Sequence, residues 1–310
     1  MVFESGKFPL FLLPVKTLLT TIVKAIIGLA MKRIGILYHP MKEDAYPLAQ
    51  KLEKFLTAKG VSVWVGSAWE LEAARAEVNG TDLVLSIGGD GTILRAAQMV
   101  IPGSTPITGI NLGNLGFMTE LSVDEAQTKM TRLLAGEGWI DERSLLEAEL
   151  TSHGGAGSPS QKFYALNDVV VARGEVAARV IVVDVSIDDE HLTTYKSDGV
   201  IIATATGSTG YSLAAGGPVL HPQAKEMVLL PIVPHLSATY PLVLPSTAVI
   251  KLHLSNIHLG TLSIDGHINL PLSGGAIITV RHSANTVRFL RIHPSTSFYS
   301  SLEKRLKGKQ

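Results

Sequence analysis

The chain has 310 residues, 27 basic against 27 acidic side chains, ten histidines and no cysteine. That length suits one large domain or two of ordinary size, and the balanced charge gives no general attraction to nucleic acid or an anionic membrane. Without cysteine there are no disulfides, no thiolate chemistry and no cysteine-ligated zinc, and the scattered histidines lack the helical spacing of a metal site.

Residues 8–30 are mostly apolar, but Lys16 and Lys24 cut the run into stretches too short for a comfortable span of about 20 residues. Three readings compete: an extension upstream of a start at Met31, a helix on a membrane surface, and a signal or spanning segment ending near Gly28 and Ala30. The first is preferred, because Met31-Lys32-Arg33 looks like a true start.

From Lys32 the pattern becomes orderly. Ile34–Tyr38 reads as a strand. Leu48, Leu52, Phe55 and Leu56 recur at helical spacing, and Gly60 closes that helix. Val61–Val65 predicts a second strand, 69–78 a helix, Leu83–Ile87 a third strand, Thr92–Val100 a helix and Pro106–Ile110 a fourth strand. Ser122 and Glu125 form a capping-box pattern ahead of a helix through Leu134. Strands alternating with helices predict a Rossmann-like α/β domain over 32–138, with a parallel sheet covered on both faces.

After Gly138 strands dominate. Residues 151–161 read as a loop. Strands are predicted at Ala165–Ala172, Val180–Ile187, Leu192–Tyr195 and Val200–Thr204, with a hairpin turn at Asp188-Asp189-Glu190. Further runs at 247–254, 259–265, 276–282 and 286–292 complete an all-β, sandwich-like domain over 139–295, before a basic tail at 296–310.

The chemistry concentrates after the third strand, at Gly88-Gly89-Asp90-Gly91-Thr92. The strand delivers this turn to the carboxyl edge of the sheet, where ligands bind in α/β folds. Glycines permit positive φ and remove side chains between ligand and backbone, and a helix start offers free N–H groups and a positive dipole end to phosphate. Thr92 and Arg95 can add a hydroxyl and a cation. The spacing matches neither a Walker loop nor a dinucleotide fingerprint. Asp90 is repelled by phosphate, so it needs a task. Holding Mg²⁺ and accepting the proton of an attacking hydroxyl both suit one, and both belong to phosphoryl transfer. The plain alternative is a tight strand–helix turn with Asp90 as its cap.

Elsewhere, Phe117 either stacks on a base or plugs the core. Asn167-Asp168 interrupts an apolar strand, placing two polar side chains on opposite faces to bind hydroxyls, unless it is a strand-end turn. Residues 196–222 hold the hydroxyl-rich glycine loop Gly207-Ser208-Thr209-Gly210-Tyr211, suited to donating many hydrogen bonds to a nucleotide. Ser208 lacks the spacing of a hydrolase nucleophile.

In this order, Gly88–Thr92, Asn114-Leu115-Gly116-Phe117, Asn167-Asp168, Asp198-Gly199, Gly207–Tyr211, Gly216-Gly217-Pro218, His221-Pro222, Pro231–Ser237 and Asp265-Gly266 resemble the NAD kinase family, across about residues 32–295. The first motif is shared with lipid kinases; the 198–222 block is more specific. The resemblance implies phosphorylation of the 2′-hydroxyl of the adenosine ribose of NAD, giving NADP, from ATP or polyphosphate with Mg²⁺. It implies that Asp90 faces that hydroxyl and that Gly88, Gly89, Gly91 and Thr92 cradle the donor, where the cation of Arg95 read from the turn itself would join them. Asn167 and Asp168 would hold NAD hydroxyls, Asp198 would meet the nicotinamide amide, and Thr209, Tyr211 and Phe117 would line the dinucleotide pocket. No metal site built by protein ligands is expected. A homodimer or homotetramer in the cytoplasm is implied, with no nucleic-acid partner. The chain departs from the family at Asp168, where Glu is common, at Gly210, at Tyr240 where Arg is common, and at His267. The rival readings are a lipid kinase sharing the turn and a non-catalytic dinucleotide-binding regulator.

Overall fold

In a computed structural model, the described residues are 31–113, 116–151, 160–174, 180–235, 240–255, 259–295, 298–299 and 302–303. The expectations for residues 1–30, most of the 151–161 loop, Asn114, Leu115, Leu236, Ser237 and the end of the basic tail lie outside them.

The first half alternates as its periodicity predicts. In order come β1 (Arg33–Tyr38), α1 (Ala45–Thr57), β2 (Ser62–Ser67), α2 (Leu71–Val78), β3 (Leu83–Gly88), α3 (Asp90–Val100), β4 (Ile107–Asn111), β5 (Leu121–Ser122) and α4 (Ala126–Leu134). Gly60, just past α1, sits at φ 81°, a left-handed stop that only glycine takes without cost. The capping box is half realised: Glu125 accepts the Ser122 N–H, but residues 123–125 first make a turn and the helix begins at Ala126. The parallel strands run β4-β3-β1-β2. Leu48, Leu52 and Leu56 of α1 and Met130 and Leu133 of α4 cover one face; Ala74 and Val78 of α2 and Ile93, Ala96 and Ala97 of α3 cover the other. The order reverses between β1 and β3, so the crevice of this sheet opens above that pair.

The second half contains β6 (Trp139–Thr151), β7 (Ser160–Ala165), β8 (Asp168–Arg173), β9 (Ile181–Ile187), β10 (Glu190–Ser197) and β11 (Gly199–Ala203). A 3₁₀ turn (Gly207–Thr209) and a one-turn helix α5 (Tyr211–Ala214) follow. Then come β12 (Met227–Ile232), β13 (Leu242–Leu244), β14 (Val249–Leu254), β15 (Gly260–Ile264), β16 (Ile268–Leu272) and β17 (Ile277–Arg291). Asp188 and Asp189 both take positive φ in the β9–β10 hairpin, the geometry that twists with its strands.

A six-stranded sheet, β13-β12-β11-β8-β15-β16, packs on the strands around β14 and β17. Leu146, Val183, Val185, Ile250, Leu252, Ile278 and Val280 meet Val169, Val171, Val200, Ile202, Leu229, Leu262 and Ile264 in a dry sandwich core.

In two places the expected strands differ from those the chain forms. The strand expected over Ala165–Ala172 is two strands in different sheets, β7 and β8, broken by a bend at Leu166 and Asn167. Asn167 and Asp168 therefore do not alternate across one strand: Asn167 sits in the bend and Asp168 opens β8. The runs at 276–282 and 286–292 are one strand, β17, with an irregularity between His282 and Thr286.

That strand joins the two halves. One edge of β17 pairs with β6 along its length. The other edge pairs with β14 over Ile277–Arg281, then with β4 at Phe289 and Ile107.

Candidate active site

The turn after β3 is built by exclusion of side chains rather than by unusual dihedrals. None of Gly88, Gly89 and Gly91 has positive φ, which corrects that expectation. A Cβ on Gly88 would collide with the Thr92 side chain, whereas one on Gly89 or Gly91 would meet nothing within 4 Å. Gly88 thus lets the helix start tightly. Gly89 and Gly91 leave open space beside the first turn of α3, where helix-start N–H groups lack a preceding turn to bond, although that of Thr92 already donates to the Gly89 carbonyl at 3.0 Å. Thr92 itself is buried, and its hydroxyl accepts the Gly89 N–H at 3.4 Å. It shapes the turn, and its hydroxyl is not turned toward the open space as the sequence had suggested.

Asp90 is the first residue of α3, where the helix dipole favours a negative charge. Its two oxygens accept the backbone N–H groups of Phe117 (2.8 Å) and Met118 (3.0 Å). A carboxylate has about four lone-pair sites, so this grip orients the group and leaves capacity for a hydroxyl. Gly116 makes the approach possible, since a Cβ there would strike the Asp90 carboxylate.

The loop carrying Phe117 and Met118 is braced from below. Arg291, at the end of β17, donates to the Met118 carbonyl (2.7 Å) and pairs with Glu120 (3.3 Å) and Asp141 (3.2 Å). Burial alone would raise Asp141, but Arg143 and Arg291 outweigh it and hold the carboxyl below its usual range. Phe117 lines a small cavity of about 60 Å³ beside this cluster, with Thr119, His221 and His293.

A larger cleft, about 530 Å³, lies on the β domain. Asn167, Asp168 and Tyr211 line it, as do Arg173, Asp265, Gly266 and the polar side chains Thr261, Ser263 and Asn269. The Asn167 side-chain oxygen is buried, with no hydrogen-bond partner among the described residues. Such an orphan acceptor is costly unless something donates to it. Asp198 stands at the cleft's rim through its 3.3 Å ion pair with Arg173. Thr209 and Phe117 do not line this cleft.

The hydroxyls of the 204–209 loop turn inward. Thr204 donates to the Leu166 carbonyl (2.6 Å), Ser208 to Ala205 (2.7 Å) and Thr209 to Thr206 (3.2 Å). Ser208 also accepts the Leu220 N–H, so it is a structural residue and no nucleophile. A Cβ on Gly207 would collide with the backbone of Asn167. The loop therefore buttresses the Asn167 bend, and of its predicted binding residues only Tyr211 reaches the cleft.

Asp265 is the residue whose part was missed. Its carboxylate is buried and accepts three successive backbone N–H groups, from Leu166 (2.9 Å), Asn167 (2.7 Å) and Asp168 (3.1 Å), and the Gln98 side-chain amide (3.3 Å). The signal was Asp265-Gly266, a turn in which Asp265 takes φ 51° and Gly266 φ 71°. Burial pushes the Asp265 carboxyl up against the pull of those three bonds. Beside it, burial and then the Asp265 charge push Asp168 up to about 7.

Residues 34–138 match the ATP-NAD kinase N-terminal domain and 166–292 the ATP-NAD kinase C-terminal domain. An NAD kinase of Dehalococcoides mccartyi is 50% identical over 277 residues, covering 89% of this chain and 96% of that protein. One from Chloroflexus aurantiacus is 39% identical over 277 residues, covering 89% and 99%. Among solved structures, yeast NADH kinase with NADH aligns at TM-score 0.76 and 24% identity, covering 91% of this chain and 89% of that one. An Archaeoglobus fulgidus NAD kinase with ATP aligns at 0.70 and 24%, covering 89% and 100%. At that identity the two structures speak for the fold.

Proposed function

The chain belongs to the NAD kinase family of phosphotransferases, and from that premise we propose how its residues divide the work. Asp90 faces the 2′-hydroxyl of the adenosine ribose of NAD. Gly88, Gly89 and Gly91 with the start of α3 take the donor phosphates of ATP, and Arg95 adds a cation. The β-domain cleft takes the rest of the dinucleotide. There Asn167 and Asp168 bind hydroxyls, Tyr211 lines the wall, and Asp198 with Arg173 meets the polar nicotinamide end.

The observation that carries this reading is the grip on Asp90. A carboxylate held at both oxygens by backbone N–H groups, next to open space at Gly89 and Gly91, is placed to orient an incoming hydroxyl. In the reaction the ribose oxygen bonds to the γ-phosphorus and the bond from that phosphorus to the β-bridging oxygen breaks, releasing ADP. The hydroxyl proton passes to Asp90. The loose transition state leaves little covalent work to the protein, so orientation and charge stabilisation dominate. Carboxylates are weak bases as a class, so the proton moves late, after the phosphoryl group has begun to transfer.

Among the described residues no three acidic or histidine side chains cluster as a metal cage. The donor set fits a cation that arrives on ATP, because Mg²⁺ is commonly held by substrate phosphates and one or two carboxylates. Asp90 is the carboxylate within the turn. When bound, Mg²⁺ would neutralise charge on the phosphates.

A homo-oligomer is supported by β13. It is an edge strand with Val243 exposed, near exposed Tyr240 and Val233, an apolar patch that a second copy would cover. The cytoplasm is the proposed compartment, and cell fractionation tests it.

A donor-by-acceptor assay decides the function, offering ATP or polyphosphate against NAD or diacylglycerol, with the full chain and a chain starting at Met31. NADP formed from ATP and NAD is expected from both. Lipid phosphorylation, or NAD binding without NADP, would overturn the reading.

A further inference from the structure

The crevice above β1 and β3 has two sides. Asp90 and the Phe117 loop occupy the β4 side. On the other, His39 follows β1 directly, and its N–H bonds to the Ile87 carbonyl at 3.0 Å, which sets it beside Gly88. Trp69 follows β2, with its ring centroid 4.5 Å from that of His39. Arg95 of α3 lays its guanidinium over the same indole, 4.1 Å from the ring centroid.

Arg95 is unusual in what it lacks. No carboxylate among the described residues pairs with it, and its bonding among them is the stack on Trp69. A guanidinium carries five N–H donors in a planar fork that matches phosphate. Stacking on an aromatic face fixes the plane and leaves that fork unspent. An oriented cation with no carboxylate partner among the described residues, one helical turn after Gly91, where a Cβ would meet nothing within 4 Å, is an arrangement for a polyanion. Trp69 is 36% exposed, so the platform lies at the surface of the crevice rather than in the core. Burial, then the charges of Lys42 and Arg95, disfavour a proton on His39, which keeps that ring a neutral backing for the indole.

We propose that Trp69, backed by His39, is a positioning residue for the phosphate donor: it holds the Arg95 guanidinium flat so that its N–H fork grips the triphosphate of ATP at the glycine turn. This rests on the reading of Arg95 as a donor ligand.

Steady-state kinetics test both levels. Arg95→Ala should raise KM for ATP and leave KM for NAD alone. Trp69→Leu should raise KM for ATP roughly five- to tenfold, the scale of a stacked cation, again with KM for NAD unchanged. Trp69→Phe, which keeps a ring, should restore most of the affinity. The Arg95→Ala/Trp69→Leu double variant should be no worse than Arg95→Ala, because Trp69 acts through Arg95. Trp69→Met stands in if Trp69→Leu loses its thermal transition. An unchanged KM for ATP in Arg95→Ala would sink the reading of Arg95. A normal KM for ATP in the Trp69 variants, or effects that add in full, would overturn the platform alone. Equal rises in both KM values would show a general structural defect and also overturn it.

Discussion

Gln98 and Asp265 meet at 3.3 Å, side-chain amide to carboxylate, although 167 residues separate them. Gln98 lies two turns after Asp90 on α3, and Asp265 lines the β-domain cleft. Gln98 also donates to the Tyr164 carbonyl at 2.6 Å. The helix that begins at the glycine turn is thereby tied to the bend that carries Asn167. A rigid α-helix puts Asp90 about 12 Å along its axis from that tie, so the turn and the cleft are held at a set spacing.

Asp265→Asn should weaken acceptor binding. An amide accepts through one oxygen, and its NH₂ would face N–H groups that Asp265 now satisfies. The expected cost is about 1–3 kcal/mol of stability, with KM for NAD raised and KM for ATP little changed. Urea unfolding and kinetics on the same variant check it; unaltered NAD kinetics would count against a role for this anchor.

Asp90→Asn should keep the fold and bind NAD with near-native affinity, while kcat falls by roughly 10²–10⁴. Gly116→Ala should mimic part of that loss, because its methyl group would displace the carboxylate. Calorimetric NAD titration beside turnover separates binding from chemistry. Near-normal turnover in Asp90→Asn would remove it from the mechanism.

The Asp168 carboxyl, raised to about 7, gives a defined pH dependence. Unfolded, it titrates near ~3.9. Between that value and its folded one the native state holds the extra proton, so this group's contribution to stability falls as pH rises through the window and levels off above it. Asp168→Asn should abolish that slope, and its stability relative to the parent should rise from about pH 5 to about pH 8 by an amount on the order of a few kcal/mol. Denaturation at the two pH values reads the difference; a relative loss toward alkaline pH would contradict the assignment.

Arg291→Met should destabilise by about 3–5 kcal/mol, the cost of leaving Asp141 and Glu120 short of a buried partner. Since Arg291 also holds the Met118 carbonyl, kcat should fall more than either KM rises. Thermal unfolding and kinetics together test this; loss of stability with intact kcat would separate the brace from the site.

The parallel strands were plain in the sequence because they are buried on both faces and read as unbroken apolar runs, as in β3. The strand β6 was hidden for the opposite reason. Its inward positions include Asp141 and Arg143, whose charges pair inside the protein, so its alternation looks like a polar loop. Pro231 and its neighbours stood out as a motif, and β12 passed unnoticed beneath it.

The glycine turn was legible because its residue types are demanding and adjacent. The roles of its neighbours were less so. Thr92 and the 204–209 hydroxyls carry donors and acceptors that a ligand or the backbone can claim equally well, and the backbone claims them here. Asp265 was visible as a turn, but its three N–H partners lie 97 to 99 residues away, beyond any local pattern. Trp69 and Arg95 are separated by a helix and a strand, and only the fold stacks them.

The last strand of the chain also sets a schedule. Phe289 of β17 completes the pairing of β4, and Leu290 gives its carbonyl to the Thr108 hydroxyl at 2.8 Å. The N-terminal sheet therefore waits, during synthesis, for a segment made some 180 residues later than β4, measured by that bond. Long-range closure of this kind is slow and leaves an edge exposed meanwhile. A ribosome-bound chain that stops short of β17 would carry every residue proposed to touch a substrate and still lack the piece that seats Met118 against Asp90.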